Sequence, residues 1–183
     1  MLDLFKVELP DAINVSGNLY KIKTDYKYWI RFSQCLKTGE EFSFIFIDTP
    51  PVEKFDEVTE QLMLFYNPKE ELPRPVGKQS NEITLDYDID ADYIYSAFME
   101  QYKIDLMDSK LKMHWWKFSA LLKGLHNTKL NEIMSYRCYD PNDKTSYEQS
   151  MRDMKNQWRI PQPKVPLSEA NKHFNDLLAK RKK

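Results

Sequence analysis

Asp86-Tyr87-Asp88-Ile89-Asp90-Ala91-Asp92 carries a carboxylate at every second position, the densest group of potential ligands in the chain. Alternating acids can converge on a hard cation such as calcium or magnesium, but the EF-hand template is not met. Ala91 stands where the turn glycine is needed, and the bidentate acid would fall on Ala97. Acids gathered at a helix N-terminus also complement the positive end of its macrodipole, which is a sufficient structural cause. His114, His126 and His173 lack a second histidine, cysteine or carboxylate at metal spacing on the same helical face. His114 falls on an apolar stripe and reads as a partly buried core residue. With four glycines there is no phosphate loop, dinucleotide fingerprint or nucleophile elbow. Neither catalytic residues nor a metal nor a cofactor is expected. The least implausible enzyme would be a nuclease combining the aspartate run with the lysines after it. Cys35 and Cys138 match no zinc or disulfide pattern and are expected to be buried free thiols.

The residues suited to binding are aromatic and basic. In Trp115-Trp116-Lys117, adjacent helical positions lie ~100° apart, so the two indoles cannot share one core. Trp115 matches the inward stripe. Trp116 is left on a flank, where it either packs on another element or anchors a partner. Near the end of the chain, an amphipathic segment with Phe174, Leu177 and Leu178 runs into Lys180 and Arg181, suited to a partner's groove and, less so, to phosphates. The candidate partner-binding residues are therefore Trp116, Lys117, Phe174, Leu177, Leu178, Lys180 and Arg181.

The elements that must position these residues follow from periodicity and caps. Ala12–Val15 and Leu19–Lys23 flank Ser16-Gly17-Asn18, which predicts a β-hairpin. Thr24 or Asp25 caps a helix carrying Trp29, Ile30, Phe32, Ser33 and Leu36 that ends near Gly39. Phe42–Ile47 is aromatic or β-branched and reads as a strand, with a buried helical turn as the alternative. Thr49-Pro50-Pro51 starts a helix with Phe55, Val58, Leu62, Phe65 and Tyr66 on one stripe, ending before Pro68. The proline-rich stretch 68–80 reads as a linker or loop.

In the second half, Asp90 caps a helix with Ala91, Ile94, Tyr95, Phe98 and Tyr102 inward. Asp108 or Ser109 starts another bearing Leu111, His114, Trp115, Phe118, Leu121, Leu122 and Leu125, and the two are expected to pack as a helical hairpin. Thr128 begins a short helix with Leu130, Ile133, Met134 and Arg137 on one side. Thr145 and Glu148 form a capping box before a stripe of Tyr147, Met151, Met154 and Trp158. Ile160–Pro166 reads as an extended spacer ahead of the basic C-terminal helix.

These elements predict a mainly α chain, a helical bundle with a small N-terminal β-hairpin. The expected divisions are a hairpin-plus-helices module (1–67), a proline-rich linker (68–80), a helical bundle (81–160), and a spacer with the basic helix (161–183). The 42% hydrophobic and 14% aromatic content of 183 residues implies a packed core rather than disorder. The formal charge of −1 gives no general attraction to nucleic acid or membrane, yet its distribution is uneven. Residues 81–108 hold Glu82, Asp86, Asp88, Asp90, Asp92, Glu100, Asp105 and Asp108 against Lys103, whereas 110–137 hold six bases against Glu132. No apolar run is long enough for a membrane span, and the acidic start does not resemble a secretory signal, so a cytoplasmic protein is expected.

Three blocks carry a family likeness: Asp90-Ala91-Asp92-Tyr93-Ile94-Tyr95-Ser96-Ala97-Phe98, Tyr102-Lys103-Ile104-Asp105-Leu106, and His114-Trp115-Trp116-Lys117-Phe118-Ser119-Ala120-Leu121-Leu122. With Leu125 and Asn131–Arg137, they resemble the bacteriophage "gene product fifteen" family over residues 82–140, and more loosely at the hairpin-like start. The resemblance implies a siphophage or prophage protein encoded among tail genes near the tape-measure gene. It therefore implies a tail assembly chaperone that binds the tape-measure protein and tail-tube subunits in the host cytoplasm. It supplies no catalytic residues. The competing expectations are a structural virion component at a tail or neck joint and, further off, a nucleic-acid-binding accessory protein. Self-association is left open.

Overall fold

Ser16 and Gly17 both take positive φ, 50° and 85°, the two-residue turn whose twist matches that of paired strands. They join β1 (Ala12–Val15) to β2 (Asn18–Lys21) in antiparallel register, Ile13 opposite Tyr20 and Val15 opposite Asn18. The turn is thus one residue tighter than its sequence suggests, and the second strand is correspondingly shifted. Strand alternation buries Ile13 and Val15 and turns Leu19 outward. The computed structural model to which these elements belong describes residue 5 and residues 8–68, 83–140 and 145–161. The expected linker is mostly outside the described residues, as are most of the proline spacer and the whole basic C-terminal helix.

α1 (Tyr26–Thr38) starts where the Asp25 carboxylate accepts the Lys27 amide and stops at Gly39, left-handed at φ 75°, whose N–H returns to Cys35 O. Its buried face holds Trp29, Phe32 and Cys35, with Ile30 and Leu36 only half-buried. The expected strand at 42–47 is corrected to a 3-10 turn, Ser43–Ile45, leaving a single bridge between Ile22 and Phe46. The buried residues there are Phe42 and Ile45, three apart, a spacing that 3-10 geometry eclipses onto one side and that strand alternation would divide between two faces. A second 3-10 turn at Val52–Lys54 absorbs the prolines, and α2 (Phe55–Tyr66) follows with Val58, Leu62 and Phe65 buried.

α3 is Ala91–Tyr102, α4 Trp115–Gly124, α5 Lys129–Cys138 and α6 Ser146–Gln157. α4 starts six or seven residues later than the Asp108 or Ser109 expectation. The backbone before it is already used: Tyr26 N–H donates to Met113 O at 2.9 Å, Trp115 N–H to Thr24 O at 2.7 Å, and Asp25 bridges His114. A helix through 109–114 would forfeit those bonds.

The described residues are mainly α with one N-terminal hairpin and divide into two compact units. The first holds residues up to 68 together with Lys112–Ser119, a segment the sequence reading had grouped with the 81–160 bundle. The chain passes into the second unit within α4. The first unit's core is a run of rings: Trp29 lies 4.6 Å from Phe65, Tyr66 stacks 5.1 Å from Trp115, and Tyr26 stacks 4.8 Å from Phe118. Each such pair adds roughly 0.5–1.5 kcal/mol beyond burial.

In the second unit α3 packs on α5 and α5 on α6, rather than α3 on α4 as a hairpin. The link between α3 and the end of α4 is narrower: the Tyr102 hydroxyl donates to Leu121 O at 2.9 Å, beside Gly124, where a Cβ would sit 2.9 Å from that hydroxyl. Thr128 forms a full capping box with Asn131. At α6 only half of the expected box is made. Thr145 accepts the Glu148 amide, whereas the Glu148 carboxylate takes the Tyr139 hydroxyl and pushes its pKa up to about 12. Tyr147, placed by sequence on the inward stripe, is exposed, and Met151, Met154 and Trp158 are half-buried. Cys35 is a buried thiol as expected, but Cys138, at the last turn of α5, is exposed. No described helix is long and apolar enough to cross a membrane.

Candidate functional site

The carbonyls of a helix's last turn have no partner within the helix. At the end of α2 two of them are taken by consecutive indoles: Trp115 Nε1–H donates to Tyr66 O at 2.8 Å and Trp116 Nε1–H to Phe65 O at 2.9 Å. Pro68 prevents α2 from continuing, and the tandem tryptophans of α4 complete its C-terminus from outside. Trp115 is buried among Trp29, Tyr66 and Phe118. Trp116 is half-buried, 5.4 Å from the Phe65 ring, so its indole has a packing role and retains some exposed surface. Lys117 is exposed beside it.

His114 stands immediately before α4 and joins three parts of the first unit. Its Nδ1 accepts the Trp116 amide at 3.0 Å, its Nε2 lies 3.0 Å from Pro10 O, and its ring is 5.6 Å from that of Phe65. Burial holds its pKa below the ordinary 6.5. His126 is exposed, with Nδ1 2.9 Å from Gln101 Nε2, and His173 lies outside the described residues.

Two carboxylates of the aspartate run, those of Asp86 and Asp90, are occupied by the protein itself. Asp86 Oδ1 accepts the amides of Asp88 and Ile89. Asp90, expected to cap α3, makes no side-chain cap bond. It accepts the Asp86 amide at 2.9 Å and pairs with Arg137, a buried contact that single-sequence reading missed. Among the described residues no group of three or more His, Cys, Asp and Glu is placed to hold a metal.

Among the described residues, further polar and apolar side chains lie exposed on outward faces. In the first unit, α1 exposes Lys27, Tyr28 and Arg31, with Lys23 Nζ 4.8 Å from the Tyr28 ring centre and Arg31 4.7 Å from that of Phe44. Leu19 is 72% exposed on the outer face of the hairpin. In the second unit, Asp88, Asp92, Glu100, Asp105 and Asp108 are exposed, together with Met107 at 79% and Ile89 at 52%. Asp105 Oδ1 accepts the Met107 amide at 2.8 Å and Asp108 Oδ1 the Lys110 amide at 2.9 Å, two turns that bracket Met107 on the surface. Ile89 and Met107 thus stand exposed next to the exposed acids Asp88 and Asp108.

Of the sequence-derived binding residues, Trp116 and Lys117 fall within the described structure, at the start of α4. Phe174, Leu177, Leu178, Lys180 and Arg181 lie outside it. Leu19 and Met107, exposed but not among those candidates, left a signal in the sequence: strand alternation opposite Ile13 and Val15 places Leu19 outside, and the paired aspartates mark the turns around Met107.

The model of the family described as Bacteriophage Gp15 protein matches residues 5–160. No curated protein and no solved structure matches the chain.

Proposed function

The chain belongs to the bacteriophage Gp15 protein family, and from that premise we propose that it is a non-enzymatic tail assembly chaperone acting in the host cytoplasm, where it binds the tape-measure protein and tail-tube subunits. The observation that carries the reading is the division of labour among its polar groups. Asp90, Arg137, Asp86 and His114 are engaged with one another or with backbone, while Ile89 and Met107 stand exposed next to Asp88 and Asp108, and Leu19 is exposed on the hairpin. Apolar anchors with charged rims favour contacts that form quickly and release, as a chaperone of a long client requires.

Co-expression with the tape-measure protein tests the proposal. A gain in client solubility and co-purification of the pair are expected, and an insoluble client that never co-purifies removes it. The family also admits a second reading, a component retained in the particle at a tail or neck joint. Mass spectrometry of purified virions separates the two, because a chaperone is absent from the particle and a component is present in fixed copy number.

A further inference from the structure

We propose that His114 is a proton-sensitive clasp, whose neutral ring holds the segment ahead of β1 against the first turn of α4 and whose protonation opens both attachments. The chemistry of the two partners fixes the tautomer. Pro10 O can only accept, so Nε2 at 3.0 Å must carry a proton. The Trp116 amide can only donate, so Nδ1 at 3.0 Å must present its lone pair. Only the neutral Nε2–H tautomer satisfies both. A proton added at Nδ1 sets two N–H groups against each other. Because the imidazole is rigid, turning Nδ1 away from Trp116 also carries Nε2 off Pro10.

The surroundings favour the neutral form. The rings of Phe65 from α2 and Trp116 from α4 lie 5.6 and 5.8 Å from the imidazole and limit its hydration. Lys117 on α4 repels an added charge, while Asp11 and the bond to Pro10 oppose that repulsion; burial is the largest influence, and the pKa is lowered. Asp25, which bridges His114 from the start of α1, has its carboxylate engaged by the amides of Lys27 and Met113. The N-terminal attachment spans 104 positions of sequence, and the next residue, Asp11, is held separately through its carbonyl by the Ile22 amide at 2.8 Å, so loss of the clasp loosens the chain ahead of the hairpin and not the hairpin itself.

Hydrogen exchange of the full chain, followed at the Trp116 amide and corrected for intrinsic rates, tests the clasp. As the pH falls from the ordinary imidazole value of 6.5 toward the ring's lowered pKa, the exchange-competent population should rise about tenfold per pH unit, and it should level off below that pKa. Within the peptide covering residues 8–15, the residues ahead of β1 should lose protection over the same range. His114→Asn keeps a side chain that caps helices but cannot be protonated, and should abolish the pH dependence. An unchanged Trp116 amide between pH 7.5 and 5, or an identical pH response in the Asn variant, overturns the proposal. So does an imidazole nitrogen spectrum of the wild-type protein showing the Nδ1–H tautomer at neutral pH, a readout independent of any variant.

Discussion

Asp90 and Arg137, 47 positions apart, meet in a bidentate ion pair, Nη1 to Oδ2 at 2.7 Å and Nη2 to Oδ1 at 2.8 Å, with side chains only 1% and 4% exposed. Two further guanidinium donors are used: Nε reaches Trp158 O at 2.7 Å and Nη1 reaches Thr84 O at 3.0 Å. One arginine on α5 therefore joins the residue before α3, the chain at Thr84 and the end of α6. Taking both charges out of water is costly, and the fork-to-fork geometry offsets much of that cost.

Removing one member of the pair should expose the asymmetry of buried charges. Asp90→Asn leaves a guanidinium without its counter-charge and should cost roughly 3–5 kcal/mol in chemical denaturation. The double change Asp90→Leu with Arg137→Met removes both charges and should recover a large part of that loss. Arg137→Lys should resemble the single loss, since an ammonium cannot make the fork. A double variant no more stable than Asp90→Asn would mean that the links to Trp158 and Thr84, not the charge pair, dominate.

The tandem indoles give a graded expectation. Trp116→Phe removes the donor to Phe65 O at a half-buried site and should cost about 1 kcal/mol. Trp115→Phe removes the donor to Tyr66 O and leaves a void in the aromatic core, so its cost should be larger, about 2–3 kcal/mol. Thermal unfolding of the two variants checks the order. If Trp116→Phe is stable yet no longer retains the tape-measure protein, the exposed part of the indole acts as a binding anchor.

Glu57 fastens the hairpin turn to α2 by accepting the Ser16 amide at 2.5 Å and the Ser16 hydroxyl at 2.7 Å. These bonds hold its pKa below the ordinary 4.5. A depressed acid contributes stability that is present above the unfolded value and disappears as the pH falls through the folded one. The wild-type protein should therefore be modestly more stable than Glu57→Gln at pH 7, with the gap closing below pH 4.5. Denaturation midpoints across pH 3 to 7 measure it, and a gap of constant size would contradict the assignment.

Local signals in the sequence determined a good deal. Asp25, Gly39, Thr128 and Thr145 mark helix ends because caps act over a single turn, and the chain folds back at Ser16-Gly17 because Gly17 takes positive φ without steric cost. The stripes of α1, α2, α3 and α5 likewise needed no knowledge of what they would meet. Their partners were another matter, since an apolar stripe states which side is buried and not against what.

Only the tertiary structure decided that Met113–Trp115 bond to the entry of α1 and delay α4, that α3 packs on α5, and that Phe42–Ile45 coils instead of extending. Asp90 illustrates the limit best. By position it is a helix cap and by composition part of an acidic run, yet a guanidinium 47 residues away takes its carboxylate. Long-range pairing of polar groups leaves no periodicity in a single chain, because its geometry exists only once the backbone has brought distant residues together.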